Sequence, residues 1–488
     1  MFRSLILAVA LAAFSPLAQA DTLKVPQDHE SIQAAVDAAV AGDTVVISAG
    51  NYDENVLVPA GKDGLTITGK GKVFINAQGV SDSDGDGDGI RIESHDVTLS
   101  KLTIRHAEGA GVRATVGGGD GASFLSGLTI EKVRVINGVG AGLDVQADDC
   151  TVTHCVFAGN GVGGGGGNGL RIVGANARVI KTQVLNDGDA GIQITGDDAV
   201  VDACTVSAIE DGDGIHISGE RATVRKCSVS IIDLIGIHVG EGSGHLVENN
   251  RVETTSDHGL CVQGDDSVVQ KNGVRSTCSD AVVLYGDGLR VASNTITHVA
   301  NDSVGVVVFG PSVPADMFQG SAGSVIEKNK VISAQGGGYE LELLDSTVSR
   351  NLAQACGGEN EFGFRIRGDG NTIDRNTAKS GDDTGFLIDH GDHNTLTSNK
   401  ASGNTDNGIV IFGVSSTGNI LDSNIVSNNS GDGIQNAGVG TILRENKIKG
   451  NLQDLSNETL GGASYVDEGG NSFSTGGLDA EPAVHVAD

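Results

Sequence analysis

His216, His238 and Cys261 carry side chains that move protons or bind metals, and they recur at intervals of 22 and 23 residues. Asp213, His258 and Asp280 keep the same step, with Asp257 beside them. If that step brings successive copies over one another, imidazoles and carboxylates meet at about 5 Å, the spacing of neighbouring strands. Such a set suits general acid–base work on a sugar ring carbon or a glycosidic oxygen. Imidazole together with thiolate also suits a borderline metal ion. The plain alternative is a solvated column whose polar groups keep a strand soluble.

Two further groups carry charge in patterns. Arg91, Arg113 and Arg171, with Asp144 and Gln193, fall in register with the histidines further along. Guanidinium binds carboxylate through two parallel hydrogen bonds, so this set could hold an acidic sugar. It could equally form an ion ladder, worth little per exposed pair. The run from Ser81 to Gly89 places Asp84, Asp86 and Asp88 at alternate positions with glycines between. Oxygen ligands in that pattern suit calcium as a cofactor, although the distal glutamate of an EF-hand is missing, and the plain alternative is a solvated acidic turn.

The elements that must position these groups come from a repeat. A V-x-x-N pattern recurs at Asn250, Asn272, Asn294, Asn329, Asn351, Asn376, Asn399, Asn424 and Asn446, mostly 22 to 25 residues apart. Upstream, the same slot holds Cys227, Cys204, Thr182 and Cys155. A glycine followed by an apolar-x-apolar strand keeps step with it, as in Gly214-Ile215-His216-Ile217. About 22 residues is too short for a strand–helix–strand unit, and no helical period separates the strands. The remaining solution is a coil that stacks on itself with its strands parallel. The slot between strands predicts a turn at the asparagines, where left-handed dihedrals are tolerated and stacked amides can bond from coil to coil. Cys204 and Cys227 then pack as small fillers or pair across adjacent coils.

On these residues the chain resembles the pectin-lyase-like superfamily of right-handed parallel β-helices, over roughly residues 22–475. Ser31 to Ala39, followed by Gly42-Asp43-Thr44-Val45-Val46-Ile47, is similar to that superfamily's N-terminal cap. Ser31 would cap a helix with Ile32, Val36 and Val40 on its apolar face, ending near Gly42. The resemblance implies an all-β solenoid of about 15 or more coils with a short capping helix. It also implies that a substrate lies along the outer face of the first strand of each coil. That outward column reads Arg91, Arg113, Asp144, Arg171, Gln193, His216, His238, Cys261, Val283, Val307, Glu340, Arg365, Leu387, Val410, Gln435. His216, His238, Asp213, His258 and Asp280 are its candidate catalytic groups, and Arg91, Arg113, Arg171 and Gln193 its candidate substrate contacts. The superfamily's galacturonase and esterase signatures are absent, and Asp389-His390-Gly391-Asp392 only loosely resembles the Asp-Pro-His-Asp of alginate epimerases. Tyr285, Phe309 and Phe412 are candidates for sugar stacking. The fold hosts lyases, hydrolases, epimerases and non-catalytic proteins, so three readings stand: a polysaccharide binder or modifier, an envelope scaffold, and a metal handler similar to periplasmic copper proteins with short β-helix repeats.

Composition agrees with the coil. Of 488 residues 74 are Gly, 6 are Pro and none is Trp, which suits many short turns. A formal charge of −31 argues against nucleic acid and anionic membrane as partners. Arg3, an apolar run from Leu5 to Leu17 and Ala18-Gln19-Ala20 form a signal-peptide pattern, predicting a secreted or periplasmic monomer. The expected divisions are 1–20 signal peptide, 21–79 cap and first coils, 80–460 β-helix, and 461–488 C-terminal cap and tail.

Overall fold

Short strands rich in Val, Ile and Thr alternate with turns, and every strand pairs parallel with the strand one repeat away. The computed structural model describes residues 20–77, 87–116, 124–162, 167–311, 320–358, 361–458 and 462–474. The signal-peptide pattern, Asp84, Asp86 and most of the C-terminal tail lie outside these. One coil illustrates the rest: Ile192–Thr195, Val200–Asp202 and Thr205–Ile209 pair with Ile215–Ser218, Thr223–Arg225 and Ser228–Ile232 of the next. Three parallel sheets result, wound as a right-handed β-solenoid of about 18 turns. No helix among the described residues is long and apolar enough to cross a membrane.

Alternation decides which side chains fill the coil. Ile215 and Ile217 are fully buried while His216 between them points outward. Stacked over the coils, such residues form one continuous apolar core. Near the C-terminal third it holds Tyr339, Phe364 and Phe386, whose rings stack with centroids 4.5 and 4.8 Å apart.

The asparagines line up as one ladder. Asn272 Nδ2 donates to Val247 O at 2.9 Å and to Asn294 Oδ1 at 3.0 Å, and the Asn272 amide donates to the same oxygen. The left-handed dihedral falls one residue earlier than the sequence predicts, at Asn249, Lys271, Ser293 and Lys328, with φ between +56° and +60°. The preceding residue makes the bend, which leaves the ladder asparagine free to aim its amide inward. Cys204 and Cys227 occupy the same slot as free, buried thiols. Their Sγ atoms donate to Val179 O and Val201 O, the carbonyl position that Asn272 Nδ2 uses at Val247.

The N-terminal end is closed by α1, Ile32–Ala38. Ser31 Oγ accepts from the Ala34 amide, and the Glu54 carboxylate accepts from Ile32 and Gln33. The helix stops before Val40, which is 55 % exposed and does not extend the apolar face. The Gln33 side chain bonds both ways with the backbone of Leu57.

Candidate functional site

The outward column of the first sheet is continuous. Arg91, Arg113, Asp144, Arg171, Gln193, His216, His238 and Cys261 are Cα partners from rung to rung, and the line runs on through Val283 and Val307 to Glu340 and Arg365.

At the centre, one carboxylate oxygen serves two imidazoles. Asp213 Oδ2 accepts from His216 Nδ1 at 2.8 Å and from His238 Nδ1 at 3.1 Å. The rings meet edge to face, with centroids 4.5 Å apart. Asp213 Oδ1 accepts from the Ile235 amide at 3.1 Å, and His216 Nε2 lies 3.2 Å from Ser218 Oγ. Burial works against ionisation of Asp213, but the hydrogen bonds from His216, His238 and the Ile235 amide outweigh it. The carboxyl is held well below the ordinary range. The aspartate is buried and the two rings are part-exposed, so the cluster opens to solvent on the imidazole side.

The other members of the predicted set are held by hydrogen bonds of their own. His258 Nδ1 donates to the backbone carbonyl of Asp280, and the Asp280 carboxylate accepts from the Val304 amide. Both residues pin turns beside the column, and Asp257 lies 3.7 Å from His258 Nε2. Cys261 is buried, and burial, ahead of its neighbours, pushes its thiol up to about 11. It is therefore a protonated thiol near neutrality.

The arginine set is an ion ladder. Arg113 donates to Asp88 and Asp144, Arg171 donates to Asp144, and Arg91 lies 3.3 Å from Glu93. Among the described residues these three guanidiniums face three carboxylates. Gln193 accepts from Asn168. Asp88 does not present its carboxylate as a calcium loop would: it is buried, with one oxygen bonded to the Ala110 amide and the other to Arg113.

A second outward column, two residues further along each strand, gathers Tyr285, Phe309 and Phe412, which the sequence offers only singly. It carries Thr195 and Ser218, then Gln263, Tyr285 and Phe309, then Glu342 and Arg367, then Asp389 and Phe412. Tyr285 and Phe309 stack at 5.4 Å beside buried Val283, Val304 and Val307, an apolar shelf on the outside of the coil. Further on, Asp389 Oδ2 accepts from Arg365 and Arg367 while its Oδ1 accepts from His390. Those residues line a pocket of about 440 Å³ with half-exposed Phe412. Strands of four to six residues present two outward positions, and that length was the available signal.

A family model described as a right-handed β-helix region matches residues 37–177, 168–313 and 317–475. No curated protein matches the chain in sequence. Among solved structures, the A-module of Azotobacter vinelandii mannuronan C-5 epimerase AlgE6 is similar at 16% identity and TM-score 0.43, over 71% of this chain and 88% of that one. A tailspike protein mutant of E. coli bacteriophage HK620, in complex with a pentasaccharide, is similar at 13% identity and TM-score 0.45, over 77% and 70%. DFA-IIIase from Arthrobacter chlorophenolicus A6 is similar at 13% identity and TM-score 0.36, over 64% and 84%. These are likenesses of fold.

Proposed function

The chain belongs to the right-handed β-helix region family, and from that premise we propose that it is an exported protein that binds and modifies a polysaccharide along the outer face of its first sheet. Seventeen strands about 4.8 Å apart make this face roughly 75–80 Å long, a shape suited to a chain-like ligand. The reaction is proton transfer at a sugar ring, of the lyase or epimerase type. The observation that carries this reading is the sharing of Asp213 Oδ2 by His216 and His238.

With each Nδ1–H held by the carboxylate, the Nε2 atoms are the working positions. A neutral imidazole takes a proton from a ring carbon. Its neighbour, as an imidazolium balanced by Asp213, gives one to the departing oxygen in elimination; in epimerisation a water above the sugar returns the proton to the opposite face of the ring. Glycoside hydrolysis ordinarily uses paired carboxylates, and the pair here is imidazole, which favours elimination or epimerisation. Asp213 is an orienting group in the sense of an acid–base triad. Arg171, two rungs away, and the Tyr285–Phe309 shelf, on the other side, are the flanking contacts for neighbouring sugar units.

Purified protein is to be incubated with acidic, neutral and amino polysaccharides, reading unsaturated ends by ultraviolet absorbance and ring epimers by NMR. Turnover by wild type and loss of roughly 100-fold or more in His216→Ala and His238→Ala, with circular dichroism unchanged, is expected. No turnover and no retention on any glycan would remove the proposal.

A further inference from the structure

We infer that Asp213, His216 and His238 form a binding site for one divalent transition ion of the zinc class. One ligand atom from each residue lies within 4.8 Å of the other two. Bonds of about 2.0–2.1 Å at tetrahedral angles set ligand atoms about 3.3 Å apart. The distances of 2.8 and 3.1 Å from Asp213 Oδ2 to the two Nδ1 atoms reach that value with shifts of a few tenths of an ångström. Two imidazoles and a carboxylate, with a fourth position facing solvent, are the donor set of open zinc sites.

The surroundings supply the independent support. A metal-bound imidazole nearly always donates its other N–H to an oxygen, which fixes the tautomer and ring angle. With an ion on Nδ1, His216 carries its proton on Nε2, and Ser218 Oγ already stands 3.2 Å from that atom. The carboxylate is likewise aimed in advance, since its second oxygen is held by the Ile235 amide. An ion on the Nδ1 atoms leaves each ring's N–H on Nε2. The ion occupies the atoms that otherwise share Asp213, so the metal-bound form and the proton-transfer form are alternatives at one place. The metal proposal stands on this geometry and does not need a glycan.

Zn²⁺ is titrated calorimetrically into the whole protein, without glycan, under excess Mg²⁺ to occupy the many carboxylates that lack imidazole. Co²⁺ serves in parallel, with its visible spectrum reporting nitrogen ligation. One equivalent with micromolar or tighter affinity is expected. His216→Ala and His238→Ala should weaken it roughly 100-fold and Ser218→Ala roughly 10-fold, while His258→Ala, one rung further, should change it less than about 2-fold. A His216→Ala/His238→Ala double variant that folds as wild type by circular dichroism and binds the same number of ions would overturn the site. So would wild type that takes up no ion under these conditions. Neither result bears on glycan turnover, which is read separately.

Discussion

Asn294 and Asn329 are joined by the same pair of hydrogen bonds as ladder neighbours 22 residues apart. Asn329 Oδ1 accepts from the Asn294 amide at 2.9 Å and from Asn294 Nδ2 at 3.0 Å, across 35 residues of sequence. The turn that carries the ladder is unaffected by the longer step.

The ladder should therefore hold the coil together locally. Asn351 is buried, donates to Ile326 O and Asn376 Oδ1, and accepts from the Asn329 amide and side chain. Asn351→Ala leaves those partners unsatisfied and should cost about 2–4 kcal/mol. In a solenoid the loss appears first in the adjacent rungs, so amide exchange should accelerate around residues 325–400 before global unfolding. Uniform exchange along the whole molecule would contradict this.

Asp187 should set a pH dependence of stability. It is fully buried, and burial pushes its carboxyl up to about 6 against partial relief from Asn160. The folded value lies above the unfolded one of about 3.9. Its contribution is therefore complete below pH 4 and is lost as pH rises through about 6. Asp187→Asn removes that loss and should raise stability at pH 7.5 by about 2–3 kcal/mol relative to wild type, with little gain at pH 4. A variant less stable at both pH values would refute the assignment.

The cluster around Asp389 predicts a double-mutant result. Its side chain is 7 % exposed and accepts from Arg365, Arg367 and His390. Asp389→Ala strips the partner from two guanidiniums and should cost about 3–5 kcal/mol. Asp389→Leu combined with Arg365→Met should cost much less than the sum of the single changes, as seen in denaturation midpoints. Strict additivity would show that the charges are not coupled.

Thiol chemistry distinguishes one cysteine from six. Cys278 is exposed and the others are buried, with Cys150 pushed up to about 12 and Cys155 to about 11 by burial. A thiol reagent at pH 8 should label one thiol in the native protein and seven after denaturation. Cys278→Ser should abolish the fast phase; a second fast thiol would show that the coil opens readily.

The fold and the main outward column were legible because a fixed step ties sequence to space. Once Asn250 to Asn446 are aligned, His216 must stand over His238. The hydrogen bonds were less legible. Placing the left-handed bend on the ladder asparagine, rather than on Asn249 or Lys271, follows from treating Asn as a turn former when its side chain was needed inside. A second buried ladder, Asn371–Asn394–Asn419, was not legible because its upstream slots change residue type, holding Ser346, Ser324, Leu289, Ser267 and His245 and then Ala222, so no one letter repeats. The ion ladder was half legible: Asp144 stands between Arg113 and Arg171 in the column itself, whereas Asp88 lies off it, and only coordinates show that its carboxylate reaches Arg113. Asp213, with its two imidazoles on separate rungs, was the one cluster that spacing alone brought together.

Gln33 closes the molecule at its leading edge. Its side-chain amide is chemically a peptide group, and it gives Leu57 the donor and acceptor that a preceding strand would have given. The first sheet thus meets an imitation neighbour that cannot be extended, and a second copy arriving end-on finds those backbone groups taken. At this one edge, a layer shaped to be stacked upon is closed by a single residue on a seven-residue helix.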